Sequence, residues 1–364
     1  MLRSARRTLA VASIAFLLTR CRDAERPVSP DPTALGATGL TMSRVAEEPA
    51  PLVLHPVAPR ETDPSIDRAL ADHYVWLDTT ARGNPNWRRG NPKLLLFLPG
   101  NNNQPAGWLR LEQEAARLGY HVIGLMYQND VTVVQVCLGS PDPDCSGNIH
   151  LEVQDGIDRS TLVNVTWANS IENRLAKVLR FLADSFPDEG WSRFLEDTSP
   201  KWSQIAVAGQ SQGAAQAAMI GKVHSVNRVV MFSGPPDANV VGQVDPWVSI
   251  GLTPAAKYFA LFHKRDHLVA RIPLNLAALD MLRFGDPVLV GDSLGGQLGE
   301  PPYGGTHVLT TDLRPTLGYL APNAPHQSTA RDNNTPLGPD RTPLLRAAWR
   351  YLLGDVPRGG AAPR

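Results

Sequence analysis

Short unbroken apolar runs alternate along this chain with longer stretches in which apolar residues return every three or four positions. Residues 52–54 and 73–77 are the first such runs and predict strands. Residues 94–98, Leu94-Leu95-Leu96-Phe97-Leu98, carry no polar side chain and stop at Pro99-Gly100. A strand covered on both faces has this pattern, because neither side meets water. Over 105–118, Trp108, Leu111, Ala115 and Leu118 recur at helical spacing, and Gly119 stops the helix. Residues 121–127 predict the next strand, and 128–160 read as irregular. A long helix follows over 171–186, with Ile171, Leu175, Val178, Leu179, Leu182 and Phe186 on one face and Pro187 at its end. Strands are then predicted at 205–208, 229–232, 258–262 and 308–313. Helices are predicted at 212–222, 270–283 and 344–352, the last stopped by Gly354. There is no internal repeat. The alternation predicts one α/β domain, a mostly parallel sheet with helices on both faces.

Composition and charge narrow the function classes. The 364 residues hold 35 basic and 35 acidic side chains, a formal charge of zero. That leaves no electrostatic footprint for nucleic acid or an anionic membrane surface. The chain has no P-loop, no dinucleotide fingerprint after its first strand and no H-E-x-x-H, so neither a cofactor nor a metal is expected. No apolar run reaches the ~18 residues of a membrane span. Arg3, Arg6 and Arg7 precede an apolar stretch at 8–18, the pattern of an export signal. Leu18-Thr19-Arg20-Cys21 resembles a bacterial lipobox, with Arg20 where a small residue is usual. Cys21 is thus a lipidation candidate and the only expected tie to a membrane. The expected organisation is a signal over 1–21, a polar, Pro-rich tether over 22–50, a domain over 51–356 with an insert at 128–160, and a tail over 357–364. The expected location is the cell envelope, as a lipoprotein, or the exterior. Cys137 and Cys145 are the other two cysteines. In an oxidising compartment their spacing predicts a disulfide closing a short loop, with two free thiols as the alternative. His150 is the only soft ligand near them, which argues against zinc.

The strongest chemical signal is Gly209-Gln210-Ser211-Gln212-Gly213. This G-x-S-x-G follows an apolar strand and opens an Ala-rich helix, the setting in which the motif has meaning. A sharp strand-to-helix turn strains the serine backbone, and neighbours two residues away must lack side chains, hence Gly209 and Gly213. Ser211 Oγ then stands exposed above the sheet, over a helix N-terminus that favours developing negative charge.

With this elbow the sequence resembles the α/β-hydrolase superfamily over roughly residues 50–355, its Ser-Gln-Gly being similar to cutinase-like and carboxylesterase-like members. The resemblance implies a triad in the chain order Ser, Asp or Glu, His. Asp266, in His263-Lys264-Arg265-Asp266-His267-Leu268-Val269 after a strand, resembles the usual acid position, and Asp237 after the preceding strand is the alternate. His326, in the loop before the final helix, is the expected base, and His307 the alternate. His267, beside the acid, reads as structural. The oxyanion hole is expected from the backbone N–H groups of Gln212 and of Asn101, the latter in Pro99-Gly100-Asn101-Asn102-Asn103. The function expected is an exported serine hydrolase acting on a small or polymeric carboxylic ester without a cofactor. A non-catalytic envelope binding protein and an acyltransferase using the same triad are the other readings.

Overall fold

The apolar run at 94–98 lies in the middle of a nine-stranded sheet in the computed structural model, which describes residues 52–79, 93–239, 241–249, 251–291 and 300–354. The chain divides into units 1–48 and 49–364, and every described residue belongs to the second. The expected export signal, Cys21 as lipidation candidate, the expected tether and the expected tail lie outside the described residues. The strands of this sheet are β1 (Leu52–Val57), β2 (His73–Asp78), β3 (Lys93–Leu98), β4 (Tyr120–Gly124), β5 (Ile205–Gln210), β6 (Arg228–Phe232), β7 (Tyr258–His263), β8 (Val288–Leu289) and β9 (Val308–Thr311). Their order is β1-β2-β4-β3-β5-β6-β7-β9-β8. β2 runs antiparallel to β1 and β4, and every other pair is parallel. This is the α/β-hydrolase fold.

Alternate residues of the central strands feed two cores. Leu94, Leu96 and Leu98 join Val207 and Met231 on one face, packed against α2 (Cys145–Asp155), α3 (Ile171–Ser185) and α4 (Gln212–Val223). Leu95 and Phe97 join Ala206, Ala208, Val230 and Phe232 on the other, under α1 (Leu109–Arg117) and the last helix, Arg346–Leu352. Burying both faces explains why these strands show no polar alternation. Each buried Leu or Ile contributes about 1.5–3 kcal/mol over an exposed one. Ile171, Leu175, Val178, Leu179 and Leu182 of α3 are all fully buried, and Ser170 caps the helix by accepting the Asn173 N–H at 3.2 Å.

Three elements depart from the sequence expectation. The strand predicted over 121–127 ends at Gly124, and the chain continues beyond the sheet toward the edge where β3 and β5 also end. The insert at 128–160 is not irregular throughout: it contains α2. The buried face of α2 includes Ser146, His150, Glu152 and Gln154, so its polar core contacts hide the apolar period that announces a helix. The helix predicted over 270–283 breaks at Asp280, whose left-handed φ of 58° separates α5 (Ile272–Ala278) from a single turn at Met281–Phe284. Cys137 and Cys145 form a disulfide with Cα atoms 5.7 Å apart, closing the loop that leads into α2.

Candidate active site

The carboxyl ends of β3, β5, β7 and β9 lie along one edge of the sheet, and the segments leaving them meet there. In this class of sheet that edge is the usual place for a site. β5 passes into α4 through Ser211 alone, at φ 59° and ψ −122°. Such a backbone is rare for a residue with a side chain and persists only where its surroundings hold it. The Ser211 N–H donates to the Phe232 carbonyl at 2.8 Å, which anchors the turn to β6. The flanking glycines are required sterically. A Cβ on Gly209 would lie 2.1 Å from the Gly213 carbonyl oxygen, and one on Gly213 would lie 2.1 Å from that of Leu98. Gly234 is a third contact the sequence reading did not single out: its Cβ would meet the Ser211 carbonyl oxygen at 2.8 Å.

Asp266 follows β7 by three residues, and its Oδ1 accepts the Leu268 N–H at 2.8 Å. His326 stands on a short helical turn, α6 (Ala324–Gln327), and not in open loop. Its Nδ1 lies 3.0 and 2.8 Å from the two Asp266 carboxyl oxygens, and both residues are buried. Burial alone would raise the Asp266 carboxyl; the His326 hydrogen bond and charge and the Leu268 N–H outweigh it and hold the group below the usual carboxylate range. A carboxylate on Nδ1–H leaves Nε2 of a neutral ring as an acceptor. The Gln210 side chain donates to the His326 carbonyl at 3.1 Å, so the elbow itself holds the histidine turn. Ser211 and His326 line one cavity of about 200 Å³. A larger open groove of about 780 Å³ runs along residues 338–350 and holds none of these residues.

The loop after β3 is fixed by a residue the sequence reading passed over. Asn129, in the first part of the insert, donates through Nδ2 to the carbonyls of Gly100 at 2.9 Å and Asn103 at 3.0 Å. Its own carbonyl accepts the Asn102 N–H at 2.9 Å and Asn101 Nδ2 at 2.8 Å. Thr132 donates to Asn101 Oδ1 at 2.8 Å, and the Val133 N–H to Gln212 Oε1 at 3.1 Å. The Asn101 side chain thus serves the loop, and its backbone N–H, the expected oxyanion donor, makes no hydrogen bond among the described residues. The Gln212 N–H opens α4 and has no partner within the helix by geometry.

The alternates are placed elsewhere. His307 Nδ1 lies 2.9 Å from the Tyr258 carbonyl, and its ring is stacked between Phe259 and Phe284. Asp237 is committed to His150, with 2.8 Å between Oδ2 and Nε2, while His150 Nδ1 lies 2.9 Å from Gln216 Oε1. Gln216 Nε2 donates to the His150 carbonyl, which fixes the amide, so both ring nitrogens face acceptors and the ring is cationic. No sequence signal marks this pair, since its partners are 87 residues apart. His267 is half-exposed, lines the cavity and meets the His326 ring edge-on at 4.7 Å. Burial and the neighbouring His326 ring hold its pKa below the ordinary value. Asp266, His267 and His326 bring ligand-type atoms within 4.8 Å of one another, but His326 Nδ1 and the carboxylate are already joined by a hydrogen bond.

No protein-family model matches this chain, and no curated protein matches it. Matches to solved structures include S-formylglutathione hydrolase (FrmB) from Staphylococcus aureus, 14% identical with a TM-score of 0.26 over 47% of this chain and 52% of that one. The chain thus spans about half the length of that enzyme. TT1662 from Thermus thermophilus is 15% identical with a TM-score of 0.33, over 73% of this chain and 89% of that one. Likenesses at this level bear on neither substrate nor activity, and the function is argued from the site's own residues.

Proposed function

We propose that this protein is an exported serine hydrolase that cleaves carboxylic esters through an acyl-enzyme on Ser211. The observation that carries the reading is the buried Asp266–His326 pair beside a serine held at positive φ, with His326 and Ser211 in one cavity. In the reaction, Ser211 Oγ attacks the ester carbonyl carbon while His326 Nε2 takes its proton. Asp266 keeps the proton on Nδ1 and stabilises the imidazolium that forms. The N–H groups of Asn101 and Gln212 meet the oxyanion, and the positive end of α4 favours it. Collapse breaks the carbon–oxygen bond, and the imidazolium returns its proton to the leaving alcohol. Water, deprotonated by the same His326, then releases the acid and restores Ser211. The disulfide in the insert supports an oxidising location.

The test is hydrolysis of p-nitrophenyl acetate by the purified protein. Ser211→Ala and His326→Ala are expected to lose on the order of 10³-fold or more in kcat, and Asp266→Asn somewhat less. Labelling of Ser211 by a fluorophosphonate reports the activated nucleophile directly. A wild-type protein that neither turns over esters nor takes the label would overturn the reading in favour of a binding protein.

A further inference from the structure

The lining of the cavity at Ser211 sets what kind of ester fits. Its volume of about 200 Å³ is below the ~300 Å³ at which pockets begin to hold drug-sized ligands. A water's share of liquid volume is about 30 Å³, so the enclosed space takes only the handful of heavy atoms nearest Ser211, and the rest of a ligand extends past the exposed Gln135 and Asn323 at its mouth. Carboxamides dominate the walls: Asn101, Asn103, Gln135, Gln210, Asn323 and Gln327. Val134 and Leu268 are the larger apolar side chains there, and no Lys, Arg, Asp or Glu is among the lining residues.

Some of these amides are already occupied and some are not. Asn101 and Asn103 serve the loop after β3, and Gln210 holds the histidine turn. Among the described residues, Gln327 uses only its Oε1, which accepts Asn334 Nδ2 at 2.6 Å, and the side chains of Gln135 and Asn323 take no hydrogen bond within the protein. The open amides come from two sides, Gln135 from the insert and Asn323 and Gln327 from the histidine turn. An apolar chain lying against them would displace their water and return no hydrogen bond. A hydroxyl, which both donates and accepts, pairs with an amide in either orientation.

Resting on the serine-hydrolase reading, we infer that the substrate is a neutral ester of a short acid with a hydroxylated alcohol, in which Gln135, Asn323 and Gln327 hold the alcohol's hydroxyl groups. The absence of a cation from the walls favours an uncharged ligand over a carboxylate or phosphate. The acyl part is limited to a few carbons by the volume.

The experiment compares kcat/KM across p-nitrophenyl acetate, butyrate and octanoate, and separately for a monoacetylated methyl glucoside against cyclohexyl acetate, with acetate release as the readout. Acetate is expected to exceed octanoate, and the glucoside ester the cyclohexyl ester, each by about tenfold or more. Gln135→Leu and Gln327→Glu (which keeps the acceptor for Asn334 and removes the donor) are each expected to lower the glucoside-to-cyclohexyl ratio roughly two- to tenfold. A ratio is independent of the fraction of each variant that folds. Octanoate turned over as well as acetate overturns the acyl assignment. A wild-type ratio near one, or a ratio moved by neither variant, overturns the hydroxyl assignment. Fluorophosphonate labelling separates the two levels: labelled enzyme with the wrong preference sinks this inference alone, and unlabelled enzyme sinks the hydrolase reading with it.

Discussion

Asn129 joins the β3 loop to the insert through four hydrogen bonds, two given by its amide and two received by its carbonyl. It touches no reacting atom and acts by positioning the backbone around Asn101. Asn129→Ala removes the two donated bonds, leaving the Gly100 carbonyl with only the Asn103 N–H at 3.2 Å and the half-buried Asn103 carbonyl without its Asn129 donor. Loss of an oxyanion donor costs on the order of 10²–10³ in kcat, and a loosened donor less. The expected result is a fall in kcat of roughly ten- to a hundredfold on p-nitrophenyl acetate with KM little changed, since the donor matters most when the oxyanion forms. A kcat at the wild-type level would mean that Thr132 and the Asn101 side chain hold the loop unaided. At this scale the sequence was readable where the constraint was local. Gly209, Ser211 and Gly213 are forced by one turn, and a motif records that. Asn129 acts across 29 residues to Gly100, partly through its backbone, and no residue-type pattern records that.

α2 shows the same contrast for a whole element. Its buried residues include Ser146, His150, Glu152 and Gln154, so hydrophobic periodicity passes over it, whereas α3, with Ile171, Leu175, Val178, Leu179 and Leu182 buried at helical spacing, was visible. What fixes α2 is the cationic His150 between Asp237 and Gln216, with Ser146 bonded to both Asp245 and Trp247 close by. Burial opposes the charge on His150, but Asp237 prevails and raises its pKa. His150→Ala strands Asp237 as a buried charge without a partner, a loss of about 3–5 kcal/mol in ion pairs of this kind. Urea unfolding of the variant should show that loss in midpoint, whereas a change under 1 kcal/mol would show water replacing the ring. Reducing Cys137–Cys145 should cost less, about 2–3 kcal/mol, because the loop it closes is short. The strand order around these helices was not readable, because β-strand pairing is decided by contacts distant in sequence; the alternation of strands and helices was enough only to give a mostly parallel sheet.

The molecule as a whole carries buried histidines that must stay neutral. His73 is fully buried, and its Nδ1 accepts the Met126 N–H at 2.9 Å just beyond β4. Burial, with the nearby Arg174 charge, lowers its pKa from 6.5 to about 3. His121 is lowered to about 4, again first by burial. The sign follows from proton binding. Below pH 6.5 the unfolded chain takes up protons that the folded chain refuses, so this contribution to stability is complete above pH 6.5 and shrinks as the pH falls toward about 3. Three carboxyls work the other way: burial raises Asp332 to about 6, lifts Glu112 well above its ordinary value and raises Asp245, so the folded chain holds their protons longer. The total pH dependence is therefore a difference between opposed groups, and a single variant isolates one of them. His73→Asn offers an amide oxygen where Nδ1 accepts, and it has no proton to take up. Between about pH 7.5 and pH 4, wild type should lose on the order of 3 kcal/mol relative to His73→Asn, the amount set by a pKa of about 3 in the fold against 6.5 in the unfolded chain. Urea titrations of both proteins at four pH values measure it. Parallel curves would mean that His73 is protonated in the folded state, with Met126 giving up its hydrogen bond to the ring.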